Sequence, residues 1–168
     1  MRQTVTACLV LLGLLTAVPA PAQRRARQQK GAVCGDPVAR CRTGGYEFKP
    51  YDLPFSLARD AVIWESEEFY AVILKSVRDE KADGTVFVPE EERLAAQELF
   101  PRNKVFASRG AGEPGDVYYA NVSGAYQFMA VYAGRTRAEA QSTLAKVKAA
   151  GRFPGAYLRR MHVGFNGT

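Results

Sequence analysis

The stretch that decides the fold is Tyr126–Gly151, YQFMAVYAGRTRAEAQSTLAKVKAAG. Its first eight residues are aromatic and apolar and read as a strand. Gly134 then supplies a turn. Thr136 with Glu139 three residues on forms a capping box, which predicts a helix start. Ala140, Leu144 and Val147 share one helical face, while Arg137, Lys146 and Lys148 fall on the wet face. Gly151 suits the left-handed position that ends a helix. The segment AYLRRMHV (Ala156–Val163) reads as the strand that follows.

The same order, strand–helix–strand, occurs once earlier. EFYAVILKSV (Glu68–Val77) is the strongest strand signal in the chain, and AVIWES (Ala61–Ser66) before it suggests a shorter one. Pro89 followed by Glu90, Glu91 and Glu92 predicts a helix start, with acid placed well for the helix dipole. Leu94, Ala95 and Leu99 are its expected buried stripe, Pro101 its stop, and KVFAS (Lys104–Ser108) the next strand. VYYANV (Val117–Val122) reads either as the partner of Tyr126–Ala133 in a hairpin or as a lead-in to it. Two such halves predict an α+β, ferredoxin-like βαββαβ fold. Its sheet would have four antiparallel strands, with both helices on one face.

The amino-terminal part has a different character. Ala7–Val18 is an unbroken apolar run too short to span a bilayer, and small residues at Ala20 and Ala22 follow it. Residues 1–22 therefore read as a cleaved signal peptide, the rival reading being an uncleaved anchor. Cleavage removes one charge, Arg2, and lowers the formal net charge from +6 to +5. Residues 23–60 read as a basic leader (Arg24–Lys30) and a Pro-rich arm. The prolines at 50 and 54 favour extended backbone before them. The two cysteines left, Cys34 and Cys41, are expected to pair in an oxidising compartment. Zinc is disfavoured, because the chain has one histidine, His162. Residues 61–168 would then form one domain.

FMAVYAGRTRAEAQSTLAKVKAAG, above all Arg137-Ala138-Glu139-Ala140, Ala150-Gly151 and Tyr157–Arg160, resembles the second half of the sporulation-related (SPOR) domain. The first half agrees in element order alone, and the likeness covers about residues 67–163. The resemblance implies a non-catalytic module that binds septal peptidoglycan glycan strands, a bacterial source and a periplasmic or secreted address. The family often carries a polar residue at the centre of its first strand. Ile73 stands there in this chain, so the groove would be more apolar.

No motif argues for an enzyme or a cofactor. AGRTRAEA lacks the glycines and the Lys-Ser/Thr pair of a phosphate loop. His162 has no partner near it in sequence. Glu65, Glu67 and Glu68 read as a charged strand entrance rather than a glycosidase pair. An aromatic four-stranded sheet also suggests an RNA platform, but export carries the chain away from nucleic acid and the basic-aromatic pattern is missing. After cleavage no stable membrane anchor is expected. The predicted glycan-binding residues are Phe128, Tyr132, Ile73, Lys75, Arg135 and Arg159: rings for sugar C–H faces, cations for hydroxyls. Alternation places Phe128, Ala130, Tyr132, Ala71 and Ile73 on the face away from the helices, with Lys75 at its rim. If the arm covers that face, the alternative is a periplasmic protein-interaction or scaffold domain with the sheet closed, its partners being other envelope proteins.

Overall fold

A computed structural model describes residues 30–81, 83–110 and 115–168. The predicted signal peptide, and the leader as far as residue 29, lie outside the described residues. Eight elements follow in order: β1 (Ile63–Glu65), β2 (Phe69–Arg78), α1 (Glu90–Leu99), β3 (Val105–Ala107), β4 (Val117–Ala120), β5 (Tyr126–Tyr132), α2 (Arg137–Ala149) and β6 (Tyr157–Asn166).

The expectation of a four-stranded ferredoxin-like sheet is overturned. The sheet has six antiparallel strands and curls into a half-barrel. Its path runs β1–β6–β2–β5–β3, and β4 pairs with β6 off that path. The cause is the length of β6. Its first half pairs with β2, Tyr157 to Met161 against Ile73 to Phe69. It then continues through Asn166, where β1 takes over along the β2 side and β4 joins. VYYANV is therefore not the hairpin partner of β5. Tyr118 reaches over Gly164, where a Cβ would stand 2.0 Å from its ring, so the β4–β6 pairing depends on a glycine.

Both helices pack on one face of the sheet. Val72, Leu74, Met129 and Val131 meet Ala96 of α1 and Ala140 and Val147 of α2. The capping box forms: the Glu139 N–H donates to Thr136 Oγ1, and Thr136 N–H donates to Glu139 Oε2 (2.9 Å). Gly151 takes φ +68°, as its place after the helix requires. In α1 the expected stripe is wrong. Leu94 and Leu99 are 50% and 44% exposed, and Ala95 is also exposed, whereas Arg93 and Ala96 are buried. The reason lies in β3, which ends the sheet path and leaves the outer N–H and C=O of Val105 without a strand partner. Gln97 Oε1 accepts from Val105 N–H (2.8 Å), and Arg93 Nη1 donates to Val105 O (3.0 Å). The helix therefore turns its polar Arg93–Gln97 face to the sheet edge, where each unpaired buried backbone group would cost about 1–3 kcal/mol.

The concave face holds a second core: Phe69, Ala71, Ile73, Phe106, Phe128, Ala130, Met161, Val163 and Phe165. It is filled largely by the arm. Leu53 and Phe55 are completely buried, and Val33 and Leu57 join them. Gly31 bridges Ser66, and Val33 bridges Phe55. Ala107 N–H donates to Tyr51 O, and Lys104 N–H to Gly35 O, so the arm also lines the β3 edge. The Cys34–Cys41 disulfide is present, with Cα atoms 5.8 Å apart. The curl brings β4 over the opposite end of the sheet: Tyr119 stacks on Phe106 at 5.2 Å and meets Phe128 edge-on at 5.4 Å.

Candidate functional site

Strand alternation, interrupted once, decides where each candidate side chain goes. In β2 the register with β5 passes from Ile73↔Ala130 directly to Lys75↔Met129, so Leu74 is an extra, bulged residue. A bulge moves every later residue to the other face. Lys75 consequently lies on the helix side, where its Nζ donates to both carboxylate oxygens of Glu92 in α1 (2.8 and 2.7 Å). The expectation that Lys75 rims the concave face is corrected by this bulge. Ser76 takes the vacated direction, opposite Phe128.

Tyr132 and Arg135 are separated from the other candidates along β5. From Tyr126 to Tyr132 the strand rises about 20 Å. Tyr132 is half-buried beneath the disulfide loop, against Phe69 (5.7 Å) and Gly35. Burial pushes its hydroxyl pKa up, which the nearby Arg135 partly offsets. Arg135 pairs with Glu67 at 2.7 Å, and Glu67 accepts in turn from Val33 N–H (3.3 Å). This end of the concave face is closed by the arm.

Three of the six candidates do come together, at the other end. Ile73, Phe128 and Arg159 line a recess of about 300 Å³ with Ser76, Tyr126 and Tyr157. Ile73 and Phe128 are buried at 3% exposure each, while Tyr126 and Tyr157 are 46% and 51% exposed. Tyr157 is set directly across from Ile73 in the β2–β6 register. The recess thus has an apolar floor with two open phenol rings beside it. Arg159 sits at one side, its Nε and Nη2 donating to Asn121 O, which fixes the 121–125 connection on the rim. Asn121 has φ +64°, a conformation an asparagine tolerates. Ser123 adds a hydroxyl from the same connection.

Tyr126 and Tyr157 were not among the six predicted glycan-binding residues. Their signal was available: both begin strands whose next alternate residues are Phe128 and Arg159. What placed them beyond the arm's cover was the sheet's curl, which no periodicity encodes.

The carboxylates near the β1 end form a different cluster. Glu65 Oε1 accepts from Tyr118 OH at 3.5 Å, and His162 Nε2 lies 3.6 Å from the same oxygen. Among the described residues no group of three His, Cys, Asp or Glu is arranged to hold a metal ion, and no helix is long and apolar enough to cross a membrane. No protein-family model matches the chain, and no curated protein or solved structure is significantly similar to it.

Proposed function

We propose that the chain is a non-catalytic module of the bacterial cell envelope that binds peptidoglycan glycan strands at the Tyr126–Tyr157 recess. The observation that carries the reading is the pair of exposed tyrosine rings beside an apolar floor of Ile73 and Phe128. Aromatic rings pack against the C–H faces of a pyranose, and a concave apolar site with a few placed polar groups is the usual form of a ligand site. Ser76, Ser123 and Arg159 supply those polar groups for sugar hydroxyls. The predicted signal peptide and the SPOR-like helix sequence support the address and the ligand class. The reading rests on these local features and not on the fold.

A sacculus pull-down tests it. The mature protein should sediment with purified sacculi, and more so after amidase has stripped the stem peptides. Replacing Tyr126 and Tyr157 together by Ser should abolish sedimentation without lowering the melting temperature. Failure of the folded protein to bind either kind of sacculus overturns the reading.

A second reading is favoured by one observation: Leu53 and Phe55 fill most of the concave face. On that reading the chain is an envelope protein-interaction or scaffold domain. It predicts no sedimentation with sacculi and capture of a protein partner that survives the double tyrosine replacement.

A further inference from the structure

A second cavity, of about 870 Å³, opens where the arm meets β1. Its lining includes Lys30, Arg42 and Arg59, together with Ser56, Leu57 and Trp64, and holds no carboxylate among the described residues. Six cations elsewhere are held in ion pairs: Lys49 with Asp116, Lys75 with Glu92, Arg93 and Arg109 with Glu90, Arg135 with Glu67, Arg160 with Glu68. The side chains of Lys30, Arg42 and Arg59 have no hydrogen bond or ion pair to any described residue. Three unmatched positive charges around one concavity raise the local potential for an anion.

The walls are well fixed. Ser56 N–H donates to Ala32 O, Ala32 N–H to Ser56 Oγ, and Leu57 N–H to Arg42 O. The disulfide ties the strand-like segment after Lys30 to the turn that carries Arg42. Gly44, at φ +61°, brings that turn so close to Ala58 that a Cβ would stand 2.3 Å from its carbonyl oxygen. Trp64 forms part of the wall, and its indole N–H is buried without an acceptor among the described residues.

We infer that this cavity binds a phosphate ester. A phosphate monoester carries about −1.5 to −2 charges at neutral pH and three acceptor oxygens, a better match to three cations than a lone carboxylate. The volume exceeds that of the anion alone and leaves room for its organic part along Leu57, Ala58 and the Trp64 ring. A soluble monoester and the headgroup of phosphatidic acid share this chemistry.

Trp64 is the one tryptophan of the chain, so its fluorescence reports on this cavity alone. Titrating the mature protein with glycerol phosphate should give a saturable change that chloride at equal ionic strength does not. Replacing Arg42 and Arg59 together by Gln should weaken it by roughly tenfold or more, a loss of about 1.4 kcal/mol or above. Both residues are exposed, so the melting temperature should hold. Vesicles of phosphatidic acid in phosphatidylcholine assign the source. Cosedimentation that the double replacement abolishes points to a lipid headgroup, and a response to glycerol phosphate alone points to a soluble ester. No saturable response in either arm, or one that survives the double replacement, overturns the inference. The Tyr126→Ser, Tyr157→Ser protein should titrate as wild type, which separates this cavity from the glycan recess.

Discussion

The ring of Tyr132 lies against the bare Cα of Gly35: a Cβ at residue 35 would fall 2.0 Å from a ring carbon. Residue 35 is inside the disulfide loop, and its carbonyl accepts from Lys104 N–H, so the contact clamps the arm onto the sheet. Gly35→Ala should therefore lift the loop or displace the ring, costing about 1–3 kcal/mol as overpacking does. Chemical denaturation of the variant measures it, and an unchanged midpoint refutes the clamp.

Phe128 is a core residue, and Tyr132 packs half-buried at the edge of the same core. Strand alternation, which puts Phe128 on the open face, would make Phe128→Ala the milder change beside a fully buried Leu144. Phe128 is buried between Phe106 and Tyr119, whereas Leu144 is half-buried. Phe128→Ala should cost about 3–5 kcal/mol, and Leu144→Ala should fall at or below the lower end of the usual 2–5 kcal/mol. Paired urea melts rank them.

Asp52 is buried where the arm crosses β3, and burial raises its carboxyl pKa to about 6, against favourable contributions from Lys49 N–H and from the Lys49 and Lys104 ammonium groups. Asp116 adds a like charge, and burial lowers the Lys104 pKa. A folded pKa raised above the ordinary carboxyl value of 3.8 means that the folded state binds the proton more tightly. This stabilisation is fully present below the unfolded pKa and is lost as pH rises through about 6. Stability attributable to Asp52 should thus drop by about 1–3 kcal/mol between pH 4 and pH 7. Asp52→Asn keeps an oxygen acceptor for Lys49 N–H, and should flatten that part of the profile and raise the melting temperature at pH 8. A profile identical to wild type contradicts the assignment.

Replacing Cys34 and Cys41 by Ser should lower stability by about 2–3 kcal/mol while the sheet persists. The arm has other anchors: Leu53 and Phe55 are buried, and Leu53 N–H donates to Tyr119 OH at 3.0 Å. Far-UV circular dichroism should be unchanged and the thermal midpoint reduced. Loss of the sheet signal would show that the loop, not the buried phenylalanine, holds the arm.

Much of the local structure was legible because it rests on local chemistry. Thr136 and Glu139 marked α2, and the β-branched and aromatic run before Arg78 marked β2. The arm's packing was legible in outline from its aromatics and prolines. Three features were not. The Leu74 bulge leaves no trace in an apolar run, since Val72, Ile73 and Leu74 are interchangeable by hydropathy. The face of α1 was misread because Arg93, Ala96, Gln97 and Phe100 follow helical spacing as well as the leucines do. The choice between the faces is made by Val105, eight residues beyond Gln97. The extra strands depend on β6 running on to Asn166 and on Gly164 admitting Tyr118, a pairing 46 residues apart. Of the recess, Ile73 and Phe128 were found by alternation and Arg159 as a cation for sugar hydroxyls, while Tyr126 and Tyr157 awaited the curl.

The doubly shared strand β6 also dictates the sequence of assembly. It follows every other element in the chain, yet β1 and β4 each pair with it and with no other named strand. Neither can be templated while β6 is still missing. Until then the half-barrel lacks one wall, and Leu53 and Phe55 have an incomplete surface to bury themselves against. Helix α2 with β2 and β5 can form early from nearer partners. Closure must then wait for pairings separated by about a hundred residues, which makes it the slow, late event. A nascent or truncated chain ending before residue 162 would expose two strand edges and a row of phenylalanines, the conditions under which chains stick to one another.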